Sequence, residues 1–359
     1  MTFRLKHLVS VSLLAAILAV PAAADEAKQA ATTQPATRPV VATVTIFNTG
    51  DIHEHTTNLA RVAAHVKAAK AKDPNVLLLD AGDMVGGYGE KAMGITRGAA
   101  MFALLTAMGY DACILGNWEY TLGKDRILEL CREYPKFPLI MSNVKWEEDE
   151  KDLPKLIPAY KIFQLKGVKV AVIGTGSHDM RYARRRRFAI YQQAAMIHHL
   201  MPTLRKEADI VVAVTHQYEG EDYATASGPN APDLIVGGHS HGAYAHPYGR
   251  EKKCYIIKPG AYARRLGVVR IEWDGKKIVS CEGSLLNITK DWPEDEEVKA
   301  LREKFIKDAE SKAAPPAKDK AKSSKGGKPA AAAPLSRPGA PFAALAALLT
   351  CLWAGPSRP

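Results

Sequence analysis

The chain has 359 residues, is 47% hydrophobic and 24% charged, and carries a formal net charge of +11. That much apolar sequence excludes a wholly disordered protein and suffices for one large domain or two modest ones. The charge is unevenly placed: residues 311–359 hold eight Lys or Arg against Asp319, and Arg4 and Lys6 lie in the first 24 residues, which leaves +2 for residues 25–310. A nearly neutral folded part carries no nucleic-acid footprint, and the basic tail has the pattern of a solvated linker.

Residues 1–24 have the form of a secretory signal: a basic start, an apolar run at 8–20, then Ala22-Ala23-Ala24 as a cleavage site. The run is too short to span a bilayer as a helix, and no cysteine follows it to take a lipid. Export to a periplasm or cell envelope is expected, with no transmembrane span after cleavage. Residues 25–41 form a leader rich in Ala, Thr, Pro and Gln.

From residue 42 a rhythm begins. Apolar runs at 44–47, 76–79, 112–115, 168–173, 210–214 and 234–236 alternate with helical patterns at 58–71, 98–108, 124–134 and 191–207. This predicts an α/β domain with a largely parallel sheet. The runs at 255–257, 267–273 and 277–282 have no helices between them and predict antiparallel strands, with Asp274-Gly275 as a hairpin turn. Residues 294–312 predict a charged amphipathic helix with Val298, Leu301, Phe305 and Ile306 on one face. The domain is therefore predicted over 42–312. Residues 313–359 form a low-complexity basic linker and a short apolar tail that cannot bury a core. Of the five cysteines, Cys113 is predicted as a small core residue; Cys254 and Cys281 both fall in late strands, and their pairing is left open.

In open α/β sheets, ligands bind at the carboxyl ends of the strands. Here those ends carry Asp51, His53 and His55 in "GDIHEH", Asp80 and Asp83 in "DAGDM", Asn117 in "GNWEY", His216 in "THQYEGED", and His239 and His241 in "GGHSHG". Any one of them alone is more often a surface residue or turn former. Together they form a mixed Asp, His and Asn set without cysteine, which suits Mn, Fe or Zn ions rather than a thiolate site. They also exceed what one tetrahedral ion needs, so two ions sharing a carboxylate are expected.

The order D-x-H, GD, GN, H and GHSH resembles the metallophosphoesterase (calcineurin-like) superfamily. "LLLDAGDM", "MGYDACILGN", "DLIVGGHSHG" and "PGAYARRLG" are similar to the catalytic domain of the bacterial 5′-nucleotidase family, over about residues 43–287. The resemblance implies a four-layer α/β/β/α sandwich. It also implies that Asp51, His53 and His241 hold one metal, that Asn117, His216 and His239 hold a second, and that Asp83 bridges them. The implied reaction is hydrolysis of a phosphate ester by hydroxide generated at the metals, with a small phosphorylated substrate as the partner.

Two departures qualify it. The family reads GNHEFD where this chain reads "GNWEYT": the expected catalytic histidine is Trp118 and the aspartate that orients it is Thr121. An indole N–H cannot transfer a proton near neutral pH. The site then either cleaves esters with good leaving groups, uses His55, His178 or His246 as a substitute acid, or binds metal and phosphate without turnover as an envelope protein. Hydrolysis of another bond, such as a sulfur ester, is selected by no residue. Second, the C-terminal domain with which full 5′-nucleotidases grip the nucleoside has no counterpart in the sequence after about residue 313. Recognition falls to this domain's loops or to a separate specificity subunit. Arg181, Arg184, Arg185, Arg186 and Arg187 in "MRYARRRR", and more weakly Arg264 and Arg265, are the candidates for binding phosphate oxygens.

Overall fold

The computed structural model describes residues 39–87, 89–145, 153–179, 189–248 and 253–313. The predicted signal, the leader up to residue 38, the tail from residue 314, and the arginines at 181–187 lie outside the described residues. The elements run β1 (Ala42–Thr49), α1 (Leu59–Lys72), β2 (Val76–Asp80), α2 (Lys91–Gly94), α3 (Ala99–Met108), β3 (Ala112–Cys113), a 3₁₀ turn (Glu119–Leu122), α4 (Lys124–Glu133), β4 (Val144–Lys145), α5 (Leu153–Leu156), β5 (Tyr160–Leu165), β6 (Val168–Thr175) and β7 (Ala189–Ile190). They continue with α6 (Gln193–Glu207), β8 (Ile210–Gln217), α7 (Glu219–Ser227), β9 (Leu234–His239), β10 (Ala243–Tyr248), β11 (Cys254–Pro259), β12 (Arg265–Trp273), β13 (Ile278–Asn287) and α8 (Glu296–Ala313).

Two mixed sheets result, ordered β13-β12-β1-β2-β3 and β10-β11-β9-β8-β6-β5, with β4 and β7 forming a small third pair. β1, β2 and β3 are parallel, as are β6, β8, β9 and β11; β12, β13, β5 and β10 are antiparallel additions. Side chains of the second sheet alternate between two cores, as the pleat requires. Val170, Val172, Val212, Val214 and Val236 join Val44, Ile46 and Leu78 of the first sheet in one cluster. Ala171, Ile173, Val211, Ala213 and Ile235 instead pack with Ile197, Met201 and Leu204 of α6. The first cluster also holds residues of α1 and α3, so both sheets are covered. No helix among the described residues is long and apolar enough to cross a membrane.

The antiparallel prediction for the late strands holds for β12 and β13, but β11 runs parallel to β9 and antiparallel only to β10. The 255–257 run is uniformly apolar, which is what a strand buried on both faces shows and which does not reveal its direction. Cys113 is buried in the core, as predicted. Cys254 and Cys281 are free thiols: the first belongs to the second cluster, and the second packs against the first.

The closing helix α8 packs the predicted face inward, with Val298 fully buried and Leu301, Phe305 and Ile306 against the core. Its first turn is capped by Asp295, whose side chain accepts the Val298 amide at 3.0 Å. Arg302 then reaches Glu90 at 2.9 Å and the Thr56 hydroxyl at 2.8 Å, tying the helix to the loops that follow β1 and β2. Val298→Asp should destabilise the protein by about 3–5 kcal/mol, the penalty of an uncompensated buried charge. A urea midpoint equal to that of the native chain would show that α8 does not seat as described.

Candidate metal centre

Parallel strands deliver their carboxyl ends to one edge, and both sheets do so toward the same place. Asp51 and His53 follow β1, Asp83 follows β2 and Asn117 follows β3. His216 is the penultimate residue of β8 and His239 the last of β9, so these strands run further than the apolar pattern indicated; His241 lies just beyond. The backbone is bent to aim these side chains. Asp51, His53, Asp83, His239 and His241 have φ of 51°, 49°, 54°, 79° and 57°. Left-handed conformations are uncommon for residues other than glycine, and their clustering is a mark of functional sites.

The donors form two groups. Asp51, His53 and His241 present atoms within 4.8 Å of one another, as do Asp83, His216 and His239. Asn117 Oδ1 sits 2.9 Å from His239 Nδ1 and 3.2 Å from His216 Nε2, which places it with the second group. Asp83 Oδ2 is 3.2 Å from His216 Nε2 and 3.7 Å from His53 Nε2, so one carboxylate oxygen faces both groups. His53 Nε2 and His241 Nε2 meet at 3.1 Å. Imidazole nitrogens converging on one another and on a single amide oxygen have too few protons to satisfy every lone pair, and a divalent cation resolves that excess. The residue types and their convergence therefore fit two ions.

Burial and mutual charge set the protonation of these donors unevenly. Burial lifts Asp51 to about 7, against the opposing pull of His216. Burial also pushes His53 and His239 down to about 4, which leaves them neutral, the form that ligates. His216 goes the other way: burial opposes its charge, but the adjacent Asp83 outweighs that and raises it to about 9. Asp83 in turn is held below the usual carboxylate range, because His216 and His53 overcome its burial.

A second set of contacts fixes the donors. His216 Nδ1 lies 2.7 Å from the Ala81 carbonyl, which turns Nε2 toward the centre. Asp51 Oδ1 accepts the His239 amide at 3.0 Å. Asp83 Oδ1 accepts the Trp118 amide at 2.8 Å. Glu119, unassigned from sequence, is fully buried and accepts the amides of Asp83, Val85 and Gly116 at 2.9, 2.9 and 2.7 Å. Burial lifts its carboxyl to about 8. Its signal is present in "GNWEY", where a carboxylate closely follows a ligand and a glycine. Tyr218 and Tyr262 were also unassigned; their rings lie 4.2 Å from His239 and 5.3 Å from His241.

Trp118 is half-buried; a Cβ on Gly86 would meet its ring at 3.0 Å and His53 Nδ1 at 2.5 Å. Its ring lies edge-on to His53 at 6.3 Å. It is packed as a wall of the first group. Thr121 donates to the Trp118 carbonyl at 2.6 Å and closes the 3₁₀ turn. Of the substitute acids, His55 lies tilted against Tyr262 at 4.4 Å, and burial, then Arg264, holds it below its usual range. His178 pairs with Glu221 of α7 at 3.2 Å. His246 lies on β10 against Tyr244 and is not brought to the donors. Arg264 is exposed over the Tyr262 ring at 5.0 Å, at the rim of the centre, while Arg265 begins β12.

A two-sheet α/β fold with this donor arrangement defines a metallophosphoesterase. The calcineurin-like phosphoesterase family matches residues 44–243, and the chain belongs to that family. It is similar to human 5′-nucleotidase, 25% identical over 297 residues, which cover 72% of this chain and 51% of the relative. The chain thus spans about half the length of the curated relatives it matches first. Among solved structures it resembles a 5′-nucleotidase precursor from Thermus thermophilus, with a TM-score of 0.66 and 23% identity over 75% of this chain and 59% of that one. It also resembles the sulfate thiohydrolase SoxB of the same organism, with a TM-score of 0.62 and 19% identity over 75% and 61%.

Gly116 lies where the loops after β2 and β3 touch. A Cβ there would strike Asp83 Oδ1 and come within 2.5 Å of the Asp83 amide. Gly116→Ala should displace the shared carboxylate, so that the purified protein retains fewer divalent ions than the native chain when both are measured by elemental analysis. Equal metal content would show that Asp83 does not occupy the shared position.

Proposed function

We propose that this chain is an exported phosphoesterase that uses two divalent cations (Mn, Zn or Fe) to hydrolyse small phosphate esters, nucleotides among them. The observation that carries this is the convergence of six donors into two groups, with one carboxylate oxygen of Asp83, the seventh, facing both. In this reading Asp51, His53 and His241 hold one ion, Asn117, His216 and His239 the other, and Asp83 bridges. Such a pair, when bound, supplies a nucleophile from water at neutral pH and charge stabilisation for the phosphoryl oxygens. The chain's own part is to hold the donors in a buried, strained frame and to leave the mouth open beside Tyr218 and Tyr262. In this reading Arg264, over the Tyr262 ring, meets an anionic substrate at that mouth, and Arg184 and Arg185 are assigned the same task on sequence alone. With Trp118 packed against His53, the substrates favoured are those whose leaving group departs without a proton.

The test is hydrolysis by the purified chain with Mn²⁺ against aryl and alkyl phosphates, diesters, nucleotides and S-sulfo esters, with His239→Ala as control. Turnover of phosphate esters that vanishes in the control is expected. Equal rates in the two proteins would end the reading, and turnover confined to S-sulfo esters would replace it. Trp118→His combined with Thr121→Asp should raise alkyl phosphate hydrolysis by about 10²–10⁴-fold, the usual contribution of a general acid, with little change for p-nitrophenyl phosphate. No gain on the alkyl esters would mean that protonation of the leaving group is already supplied, with the His178–Glu221 pair the first place to look.

A further inference from the structure

Lys258 contributes no donor to the metal centre, yet its side chain is only 1% exposed. It lies near the end of β11, and its ammonium lies 2.7 Å from the Gln217 carbonyl, 2.9 Å from the Gly238 carbonyl, 3.3 Å from Ser240 Oγ and 2.8 Å from Asp222 Oδ2. Gln217 follows His216, Gly238 precedes His239, and Ser240 lies between His239 and His241. One cation therefore grips a neighbour of each of three donor histidines. The side chain crosses β9 over Gly237, where a Cβ would meet Lys258 Cε at 2.7 Å. The glycine pair of "GGHSHG" divides its work: Gly237 clears the lysine, and Gly238 clears the Ala81 carbonyl and His216, which a Cβ would approach to 2.8 and 3.0 Å.

Asp222 of α7 anchors the far side. It is fully buried and accepts from Thr215 Oγ1 and Gln217 Nε2, each at 2.8 Å. The network spans the ends of β8, β9 and β11 and the helix behind them, without reaching the centre itself. Resting on the metal-site reading above, we propose that Lys258 is a positioning residue. Its ammonium clamps the carbonyls at the ends of β8 and β9 and thereby sets the aim of His216 and His239 at one ion, rather than serving only as counter-ion to Asp222.

These two roles separate in a cycle of Lys258→Met, Asp222→Asn and the double variant, made in the full chain and titrated with Co²⁺, whose visible absorption reports each ion's coordination. The native chain must first bind two Co²⁺; if it binds none, the metal-site reading fails and Lys258 is not at fault. Lys258→Met and the double variant should each weaken one of the two ions by about 10–100-fold, the usual effect of losing an outer contact to a ligand, and leave the other near its native affinity. Asp222→Asn, which leaves both carbonyl contacts to the ammonium, should keep both ions within about threefold, well below that loss. The double variant is neutral throughout and is the one expected to fold if Lys258→Met does not, since a buried pair is replaced more safely than broken. Native binding by the double variant overturns the proposal, because Lys258 would then matter only as a counter-ion. Loss in Asp222→Asn as large as that expected for the lysine variants overturns it as well, even if neither lysine variant folds.

Discussion

The molecule is organised around one carboxylate held between two sets of imidazoles. Asp83 Oδ2 faces His216 from the second sheet and His53 from the first, so the sheets meet chemically at the point where their parallel strands end. A carboxylate in so dry a place is unfavourable unless several partners meet it. Here the Trp118 amide donates to it, Glu119 accepts its own backbone amide, and the histidines keep it charged. The left-handed backbone at Asp51, His53, Asp83, His239 and His241 follows from the same demand. Extended strands cannot turn their last side chains inward to a common point, and the sheets on either side hold the strained turns in place.

Outside the donors lies a layer of buried ionisable side chains that holds them through the backbone. Glu119 gathers three amides beneath the Asp83 loop; the Lys258–Asp222 pair gathers two carbonyls behind the histidines of the second sheet. One is a carboxyl group collecting donors, the other a cation collecting acceptors, each suited to the backbone groups its strand ends leave unpaired. Both are buried where simple solvation would forbid them, and both link two segments distant in sequence. The rigidity of the site is thus built by backbone contacts to ionisable side chains one layer removed.

The strand–helix alternation was legible because both sheets bury their parallel strands, and uniformly apolar runs survive that burial as a sequence signal. The predicted donors were legible because each sits beside a strand end, where Asp, His or Asn next to glycine stands out against apolar sequence. Direction was not: nothing in "CYIIKP" says that β11 pairs parallel with β9. Lys258 was hidden for the same reason, since a lysine in a strand looks like an outward-facing residue until the glycine it crosses is seen across the sheet. Glu119 stands in plain view in "GNWEY", but its partners are amides, which leave no mark in sequence, so its position was legible and its contacts were not. The edge strand β10 and the helix α7 were missed because neither has a clean apolar period: β10 alternates Tyr and His with Ala and Pro, and α7 is mostly polar.

The side chain at 118 can change without disturbing the donor frame. The Trp118 amide N–H holds Asp83 Oδ1 at 2.8 Å, a contact that any residue but proline could make. Its neighbour Asn117 reaches the second group, and Glu119 orders the loops on both sides. All three contacts run through backbone or through the flanking residues, so exchanging the side chain at 118 leaves the donor frame standing. What changes is the space in front of His53, which the indole fills against Gly86 with an aromatic wall. Metal binding and proton delivery are therefore physically separable on this loop, and a chain can alter the second without disturbing the first.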